Sequence, residues 1–555
     1  MQGIRISGRY PYPRVTGPAG RRMGRTWMGT PTRAISAVLA CALLAALSIP
    51  AAVGETLSPS RARIYAPVPG ARPDQVDGST EGPELRALPD GRIVWRAERT
   101  IGSPAPAAPS QTIGFDAIGR IGENWPADPT GALGGSVFVT AVNASLAVYD
   151  RTGAAVLGPD PLRPLFPLPN GTNVFDPKVV YDQYRDSFVV AFLAVNDVRE
   201  KSWILVIAIP DATAADVGTW CGAQIEGDRT GGDGRQFADY PGLGYDRDHV
   251  VVTSNQFDFG SDAYRGAQLI SMPKSRLYDC QRKLIVETFA GESTRNPDGS
   301  IAFTIQPATT VGSGNSLYLL SFQDGRPNYV VLWRLREVDR GLSLQNTALE
   351  VGRVSIGPYA TQGGGSLSAP NTWWDPGDLR LTNAFADLPH AYVYGAHVVA
   401  GDLRPDRVTG GYDEAVIRWY EVEVDPKLHR SEVSRSGTIG APEVDVGWPA
   451  IGTDEGGNVF VTYSRASAPL EEFLSAWVAR IRPGRTASVS LLLAGGSARM
   501  EAIPGPENWG DYAAISRDPL DPSLVALVNQ YAPSDGGRTT EDWQQTVHVV
   551  GEGSE

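Results

Sequence analysis

Short apolar segments with alternating polar positions follow one another from Thr112 to the end of the chain. They consist of Val, Ile, Leu, Tyr and Phe and are separated by Gly, Asp, Asn and Pro. Alternation with a period of two residues predicts β-strands, and the intervening residues are typical of turns. We find no sustained apolar repeat at the 3.6-residue spacing of a helix. The pattern therefore predicts an all-β fold.

The predicted strands fall into seven units that begin alike. Most units start with an aromatic residue and an aspartate beside a tight turn, followed by a strand of small residues, a polar turn and a strongly apolar strand. The starts lie at residues 124–129, 175–182, 238–246, 305–310, 373–379, 447–454 and 508–515. Adjacent starts are about 51 to about 74 residues apart, which suits a four-stranded sheet with variable loops.

These units predict a single β-propeller of about seven four-stranded antiparallel blades. A sheet that is apolar on both faces cannot bury them alone, so the sheets are expected to stack radially and close into a ring. The chain ends on residues 545–550, the predicted third strand of the last unit. Its fourth strand is expected from the N-terminal side, either from residues 93–95 or from residues 113–118.

The first 54 residues have the composition of an export signal. They contain seven arginines and no acidic residue, and an alanine-rich apolar stretch at 34–50 leads to small residues before Glu55. This order predicts a signal peptide at 1–54 with an extended basic region. The alternative is an uncleaved membrane anchor, for which a stretch of about 16 to 20 residues is marginal. Residues 55–111 are a predicted Pro/Ala-rich linker that can give the closing strand, and residues 112–551 are the predicted propeller domain.

The net charge limits the classes of ligand that the protein can bind, and the cysteine content predicts its cellular compartment. After residue 54 the chain carries 42 basic and 62 acidic residues, a net charge of −20. An acidic surface repels phosphate backbones, so nucleic acid is excluded as a partner and cationic or neutral ligands are favoured. Cys221 and Cys280 remain after the signal and predict one disulfide in a secreted or periplasmic protein. We expect a monomer that does not insert into membranes once the signal is removed.

The blade starts resemble those of a known group of proteins. The form Asp-Pro-x-Val-x-x-Asp at residues 176–182, followed by an apolar strand, is similar to the blades of bacterial secreted sialidase-like (BNR-type) propeller proteins, as are residues 127–133 and 509–512. The resemblance implies the propeller fold in a superfamily of glycosidases and binding proteins. The Asp-box of that group, Ser-x-Asp-x-Gly-x-Thr-Trp, has no good copy here, and its Phe-Arg-Ile-Pro segment is absent. Sialidase catalytic residues are therefore not transferred to this chain.

The blade starts also carry the candidate chemistry. The first strand of a propeller blade lines the axis, so side chains at these starts are expected to converge on one axial face. Converging carboxylates can bind a hard cation such as Ca²⁺, and together with aromatic rings they can hold a sugar. The alternative is structural, because aspartates set turns and aromatic rings fill the space between blades. The candidate ligand-binding residues are Asp128, Asp176, Asp239, Asp378, Asp511, Trp125, Tyr240, Trp374, Trp448 and Trp509.

The sequence favours a binding protein over an enzyme. It contains no Gly-x-Ser-x-Gly element, no P-loop and no His-Glu-x-x-His element. Our preferred hypothesis is an exported propeller that binds a glycan or a cell-surface partner at one axial face. The alternative is a glycoside hydrolase or lyase of the sialidase-like superfamily that uses axial carboxylates. A glycosidase needs two placed carboxyl groups, one with a raised pKa, and the sequence selects no such pair.

Overall fold

The structure is a computed structural model of the 555-residue chain. It describes residues 4–7, 84–87, 93–96, 108–120, 126–228, 235–281, 283–323, 328–339, 341–352, 354, 373–401, 414–425, 430–467, 469–470, 472–497, 506–507, 509–533 and 543–553. Most of the predicted signal peptide and linker lies outside these residues. Their predicted boundaries stay predictions.

Four strands precede the first blade. They are β1 (Ile4–Ser7), β2 (Glu84–Ala87), β3 (Ile93–Arg96) and β4 (Ser110–Gly119). Strands β2 and β3 pair with each other as an antiparallel hairpin. Strand β4 belongs to the last blade, as described below.

Seven four-stranded antiparallel blades, blades 1 to 7, make up the body of the described chain, and blades 3, 4 and 5 are joined into one continuous sheet. Blade 1 contains β5 (Thr130–Leu133), β6 (Val137–Val142), β7 (Ser145–Asp150) and β8 (Ala155–Pro161). Blade 2 contains β9 (Asn173–Asp182), β10 (Ser187–Asn196), β11 (Lys201–Pro210) and β12 (Cys221–Glu226). Blade 3 contains β13 (Gln236–Tyr245), β14 (His249–Asp258), β15 (Tyr264–Pro273) and β17 (Glu287–Phe289), with helix α1 (Lys274–Leu277) and β16 (Lys283–Leu284) before β17.

The remaining blades follow the same plan. Blade 4 contains β18 (Gln306–Val311), β19 (Leu317–Phe322), β20 (Tyr329–Val338) and β21 (Gly341–Glu350). Blade 5 follows β22 (Trp373–Trp374) and contains β23 (Ala384–Asp387), β24 (Tyr392–Gly401), β25 (Glu414–Glu423) and β26 (Glu432–Ile439). Blade 6 contains β27 (Asp445–Thr453), β28 (Val459–Ser467), β29 (Glu472–Ile481) and β30 (Ser488–Ala494). Blade 7 follows β31 (Pro506–Glu507) and contains β32 (Ala514–Arg517), β33 (Leu524–Tyr531) and β34 (Gln544–Gly551).

Several pairings lie outside this plan. The innermost strands of blades 3, 4 and 5 pair in parallel, β13 with β18 and β18 with β23. Strand β1 pairs antiparallel with β12 and with β16 at the outer edge of blade 2. Strands β22 and β31 pair in parallel with each other. Blade 7 would have three strands from the C-terminal segment alone, and β4 pairs antiparallel with β34 to supply the fourth. The closing strand thus comes from the second of the two N-terminal segments considered from the sequence.

The innermost strands close into a ring. Strands β5, β9, β13, β18, β23, β27 and β32 each contact the next, and β32 contacts β5. The hydrophobic core is divided among the spaces between neighbouring blades: Val139 of blade 1 shares a cluster with Val190 of blade 2, and Phe460 of blade 6 shares one with Leu527 of blade 7. The predicted all-β propeller of seven antiparallel blades is confirmed.

A residue with left-handed backbone lies within each innermost strand or in the segment just before it. These residues are Asp128 (φ 48°), Asp176 (φ 53°), Tyr240 (φ 49°), Thr304 (φ 48°), Gly377 (φ 102°), Trp448 (φ 46°) and Gly510 (φ 127°), one for each blade from 1 to 7. The pairing register shifts beside this residue in blades 2, 3 and 6. Such a bulge bends the strand and redirects its side chains. The aspartate-aromatic start that repeats in the sequence therefore corresponds to a backbone kink that repeats in the structure.

The predicted disulfide is present. Cys221 at the start of β12 is bonded to Cys280, 59 residues later, with the two Cα atoms 5.0 Å apart. The bond ties blade 2 to the turn after α1, in the connection between β15 and β17 of blade 3. Closing a loop of this length stabilises a fold by about 4 kcal/mol in the chain-entropy model. None of the helices in the described part of the chain is long and apolar enough to cross a membrane.

Candidate axial binding site

Polar side chains from five blades meet where the innermost strands begin. The axial cluster consists of Asp128 (blade 1), Asp176 and Lys178 (blade 2), Asp239 and Tyr240 (blade 3), Asp375, Asp378 and Arg380 (the segment before β23 of blade 5), and Asp511 and Tyr512 (blade 7). Contacts cross the ring, since Tyr512 of blade 7 bonds to Asp176 of blade 2. The five aspartates predicted from the sequence are therefore brought together at one end of the propeller axis.

Asn143, in the turn between β6 and β7, joins the first two aspartates. Its side-chain Nδ2 donates to Oδ2 of Asp128 (2.6 Å), and its Oδ1 accepts from the backbone N–H of Asp176 (2.8 Å). The hydroxyl of Tyr512 donates to Oδ2 of Asp176 (2.8 Å). Blades 1, 2 and 7 are thus held in register by hydrogen bonds that all end on Asp128 or Asp176.

The ionisation of Asp128 depends on that of Asp176. Burial raises the pKa of Asp128 well above its ordinary value, and the charges of Asp176 and Asp511 raise it further. Burial also raises the pKa of Asp176, but the hydrogen bonds from Tyr512 and from the Asp128 carboxyl act against it. Two carboxyl groups in contact titrate as a pair. Asp128 is therefore the member of the pair that binds a proton more readily.

Asp511 completes the link between blades 1 and 7. Its backbone N–H donates to Oδ1 of Asp128 (2.8 Å), and its carbonyl oxygen accepts from the hydroxyl of Tyr240 (3.2 Å). Burial raises the pKa of Asp511 well above its usual value, an effect that the positive charge of Arg380 opposes. The buried Oδ1 of Asp511 has no hydrogen-bond partner among the described residues. This carboxyl oxygen is a free polar position inside the cluster.

Lys178 is the second unusual group. Its side chain lies in the cluster with the residue 8% exposed, and Nζ stands 3.4 Å from the centre of the Tyr512 ring. Burial lowers the pKa of this amine to about 7, although the carboxylates Asp176, Asp128 and Asp511 act to raise it. A cation over an aromatic face is attracted by the ring, and this contact replaces a direct ion pair.

Arg380 supplies the other positive charge. Its guanidinium forms an ion pair with Asp378 (Nη2 to Oδ2, 2.6 Å) and lies 4.3 Å from the centre of the Tyr240 ring. Burial acts to raise the pKa of Asp378, but the charge and hydrogen bonds of Arg380 hold it below its ordinary value. Asp239 lacks such a partner: burial and the charge of Asp176 raise its pKa to about 7, with Arg380 opposing them.

The segment that carries Asp375, Asp378 and Arg380 is anchored by blades 5 and 6. Oδ1 of Asp375 accepts from the backbone N–H of Gly377 (2.9 Å), which sets a tight turn. The indole of Trp448 donates to the carbonyl oxygen of Asp375 (2.6 Å), and Nδ1 of His397 donates to that of Leu379 (2.7 Å). These contacts fix the segment across the end of the axis.

The cluster has a buried floor and a more open edge. Asp128 is 1% exposed and Asp511 is 3% exposed. Asp176 and Asp375 are half-buried, and 32% of the Asp378 side chain is exposed. The open edge therefore presents carboxyl groups, while the floor holds two carboxyl groups of raised pKa and an amine. Together they offer hydrogen-bond donors and acceptors within one small region.

The predicted aromatic residues have mixed outcomes. The ring of Tyr240 lies in the cluster, 4.9 Å from that of Tyr512 between centroids. Trp374, Trp448 and Trp509 are buried together in the central hydrophobic cluster, and they offer no open ring face to a ligand. Their position matches the alternative considered from the sequence, that aromatic rings fill space between blades. Trp125 lies outside the described residues.

The prediction from sequence missed five residues of this region. These are Lys178, Arg380, Asp375, the connecting Asn143 and, as a member of the site, Tyr512. A signal existed for some of them. Lys178 and Tyr512 both stand two positions after the left-handed residue of their blade, so the same strand position faces the axis. Asn143 carried no such signal, because its role depends on where a turn of blade 1 meets blade 2.

No group of three or more His, Cys, Asp or Glu side chains is placed to hold a metal ion within the described part of the chain. The carboxylates of the cluster make hydrogen bonds and ion pairs with protein groups instead, as with Asp128 and Asn143. Calcium binding stays a prediction from the sequence.

Comparison with known proteins gives distant structural likenesses. No protein-family model matches the chain, and no curated protein sequence matches it. A GH93 α-L-arabinofuranosidase of Fusarium graminearum is 10% identical, with a TM-score of 0.36 over 80% of this chain and 98% of that one. A Trypanosoma rangeli sialidase is 11% identical, with a TM-score of 0.33 over 67% of this chain and 54% of that one. The Dos1 propeller is 8% identical, with a TM-score of 0.32 over 80% and 96%. With TM-scores this low, none of these likenesses supports a functional assignment.

Proposed function

We propose that the axial cluster is a carbohydrate-binding site, and that the protein is an exported propeller that presents this face to a glycan. One observation carries the proposal: carboxyl groups, an amine, a guanidinium and tyrosine rings from five blades converge in one partly open cluster. Sugar hydroxyls donate and accept hydrogen bonds, so they match a site that offers both.

Charge narrows the class of glycan. The cluster contains six aspartates against Lys178 and Arg380, and Arg380 is already paired with Asp378. Its open edge is formed by Asp176, Asp375 and Asp378, which are all acceptors when ionised. Such an edge repels acidic sugars and favours neutral or amino sugars. The net charge of −20 after residue 54 acts in the same direction.

The features that predict export also support a glycan as the ligand. The disulfide between Cys221 and Cys280 is of the kind that persists in oxidising compartments. The basic and apolar order of residues 1–54 agrees with it. A glycan outside the cytoplasm is then the ligand that the site meets.

A glycan array on the purified protein tests the proposal, read with and without calcium. The matched variants are Asp176→Asn, which removes a charge from the cluster, and Asp197→Asn, which removes an exposed charge from the same blade. We expect specific binding that is weakened at least about tenfold by Asp176→Asn, the loss of one charged hydrogen-bond acceptor. The Asp197→Asn variant should bind as the unchanged protein does. No bound glycan, or equal weakening by both variants, would contradict the proposal.

A specific observation favours hydrolysis as a second candidate. The pKa of Asp239 is raised to about 7, as a general acid requires, and the charged Asp176 acts on it from the neighbouring blade. Retaining and inverting glycosidases both pair a protonated with an ionised carboxyl group. Release of reducing sugar from the array ligand, lost in Asp239→Asn, would establish hydrolysis. Binding without release would leave the protein as a lectin-like propeller.

A further inference from the structure

We infer that Lys178 is a nucleophilic amine that forms an imine with the carbonyl carbon of an aldehyde ligand, such as the open-chain end of a reducing sugar. The inference deepens the proposed function and rests on the axial cluster being open to its ligand. It adds a covalent step at one atom, Nζ of Lys178.

The geometry singles out this lysine. Lys178 stands on the innermost strand β9, its residue is 8% exposed, and Nζ is 3.4 Å from the Tyr512 ring centre and 5.8 Å from that of Tyr240. It has neither a hydrogen bond nor an ion pair among the described residues. A buried amine without such a partner is costly and is held toward its neutral form. The neutral form is the one that attacks carbonyl carbon.

The other buried lysine shows what a structural role is like in this fold. Nζ of Lys274 lies 2.6 Å from Oδ2 of Asp182, and both side chains are fully buried. The hydroxyl of Tyr278 donates to the same carboxylate oxygen (2.7 Å). Lys274 thus forms a buried ion pair with Asp182. Lys178 faces the axis and forms no ion pair with the described residues.

The surrounding carboxyl groups supply the proton transfers. In the first step the amine nitrogen bonds to the carbonyl carbon, and a proton from nitrogen passes to the carbonyl oxygen, giving a carbinolamine. In the second step the nitrogen lone pair forms the carbon–nitrogen double bond as the carbon–oxygen bond breaks, and the hydroxyl leaves as water with a proton from a neutral carboxyl. Asp128 holds such a proton next to Lys178, because burial and its like-charged neighbours raise its pKa. The carboxylate formed takes up the remaining nitrogen proton, so protons balance.

Reductive trapping tests the inference on the full-length protein. The probe is glycolaldehyde with cyanoborohydride at pH 7, followed by peptide mapping of the five lysines. Lys201, exposed on β11 and near Glu226, is the internal comparison. An ordinary lysine is almost fully protonated at pH 7, so we expect Lys178 to be labelled at least about tenfold faster. The Lys178→Arg variant should lose this adduct, and Lys201→Arg should keep it.

The outcomes separate the two proposals. Faster labelling of Lys201 than of Lys178 in the unchanged protein would overturn the imine, without reliance on any variant. Glycan binding on the array without an adduct at Lys178 would overturn the imine alone. An adduct at Lys178 without glycan binding would overturn the carbohydrate site and leave a reactive amine.

Discussion

Burial decides the ionisation of single residues at the end of the propeller axis. Asp128, Asp239 and Asp511 all have a raised pKa, because each lies out of water among like charges. Only Asp378 is held below its ordinary pKa, since Arg380 pairs with it directly. These carboxyl groups therefore bind protons more readily than free carboxyl groups do, which gives the folded protein a defined response to pH.

Stability is expected to fall as the pH rises from about 4 to about 7. In that range the folded protein keeps a proton on Asp239 that the unfolded chain releases, so the free energy of unfolding decreases with pH. With a pKa raised to about 7, Asp239 alone accounts for about 2 kcal/mol between pH 5 and pH 7. Urea denaturation of Asp239→Asn should show a pH dependence smaller by about this amount. Identical pH dependence in the variant would show that Asp239 is ionised in the fold.

Replacing Asn143 should disrupt the link between blades 1 and 2. Asn143→Ala leaves Oδ2 of Asp128 and the N–H of Asp176 without their partner, and two such losses cost about 2 to 4 kcal/mol. The matched control is Asn170→Ala, at an exposed asparagine in the loop before β9, with an expected change within about 0.5 kcal/mol. Denaturant unfolding compares the two. A loss of similar size in both variants would count against the inter-blade role of Asn143.

For single residues, membership of the axial cluster could be predicted where the residue repeats from blade to blade, and could not be predicted where it does not. Asp128, Asp176 and Asp511 recur at blade starts, so their convergence could be predicted from the propeller alone. Asn143 could not, because it enters the site through a turn whose position depends on packing against blade 2. Lys178 was visible as a basic residue in an apolar strand, but its missing partner is a property of the folded state.

The element that builds the site is the left-handed kink within or just before each innermost strand. Non-glycine residues adopt this conformation at a cost of about 1 to 3 kcal/mol, which the surrounding fold must offset. In blades 1 and 2 the residue is aspartate, which tolerates the conformation better than most. In blades 5 and 7 it is Gly377 and Gly510. The kink turns the following side chains toward the axis.

A methyl group at Gly510 should destabilise blade 7. Its φ of 127° disfavours any side chain, and a Cβ there would lie 2.7 Å from Nε2 of Gln530 and 3.2 Å from the backbone N of Asp128. We expect Gly510→Ala to lower the free energy of unfolding by about 1 to 3 kcal/mol. Gly495→Ala is the control, because a Cβ there meets only Leu492 at an ordinary 3.7 Å. A neutral Gly510→Ala in thermal and denaturant unfolding would refute the kink as a constraint.

Strand positions followed from alternation more securely than blade starts did. The predicted start of the fifth unit at 373–379 contains the left-handed residue of blade 5, Gly377. The innermost strand of that blade, however, begins only at Ala384. The intervening residues reach across the axis and bring Asp375, Asp378 and Arg380 into the cluster. Local pattern cannot show this, because the segment is held by Trp448 and His397 from other strands.

At the scale of the molecule, one strand closes the ring. Strand β4 completes blade 7 by pairing with β34. The paired residues are far apart in the sequence, since Gly119 and Gln544 are separated by 425 residues. A chain that starts at residue 108 keeps this strand, and one that starts at residue 120 lacks it. Without β4 the buried Val547 and Val549 lose their cover, which costs about 3 to 6 kcal/mol. The shorter chain should unfold at lower denaturant and associate through its open edge. Equal unfolding midpoints would contradict closure by β4.

The ring architecture could be predicted because each sheet is a similar unit that needs neighbours on both faces. The repeat predicted the number of blades and their order along the chain. It also predicted that the C-terminal segment is the third strand of the last blade. The choice between residues 93–95 and 113–118 as the closing strand did not, since both alternate in the same way. The composition of the axial cluster was only partly foreseeable, because it combines repeated positions with single contributions from turns.

The most direct test of the central claim is a crystal structure of the protein bound to the glycan that the array selects. Our account predicts the sugar at the axial end of the ring, with hydroxyl groups bonded to Asp176, Asp375 or Asp378. A sugar seated on the outer strands of the blades, away from these carboxylates, would contradict it.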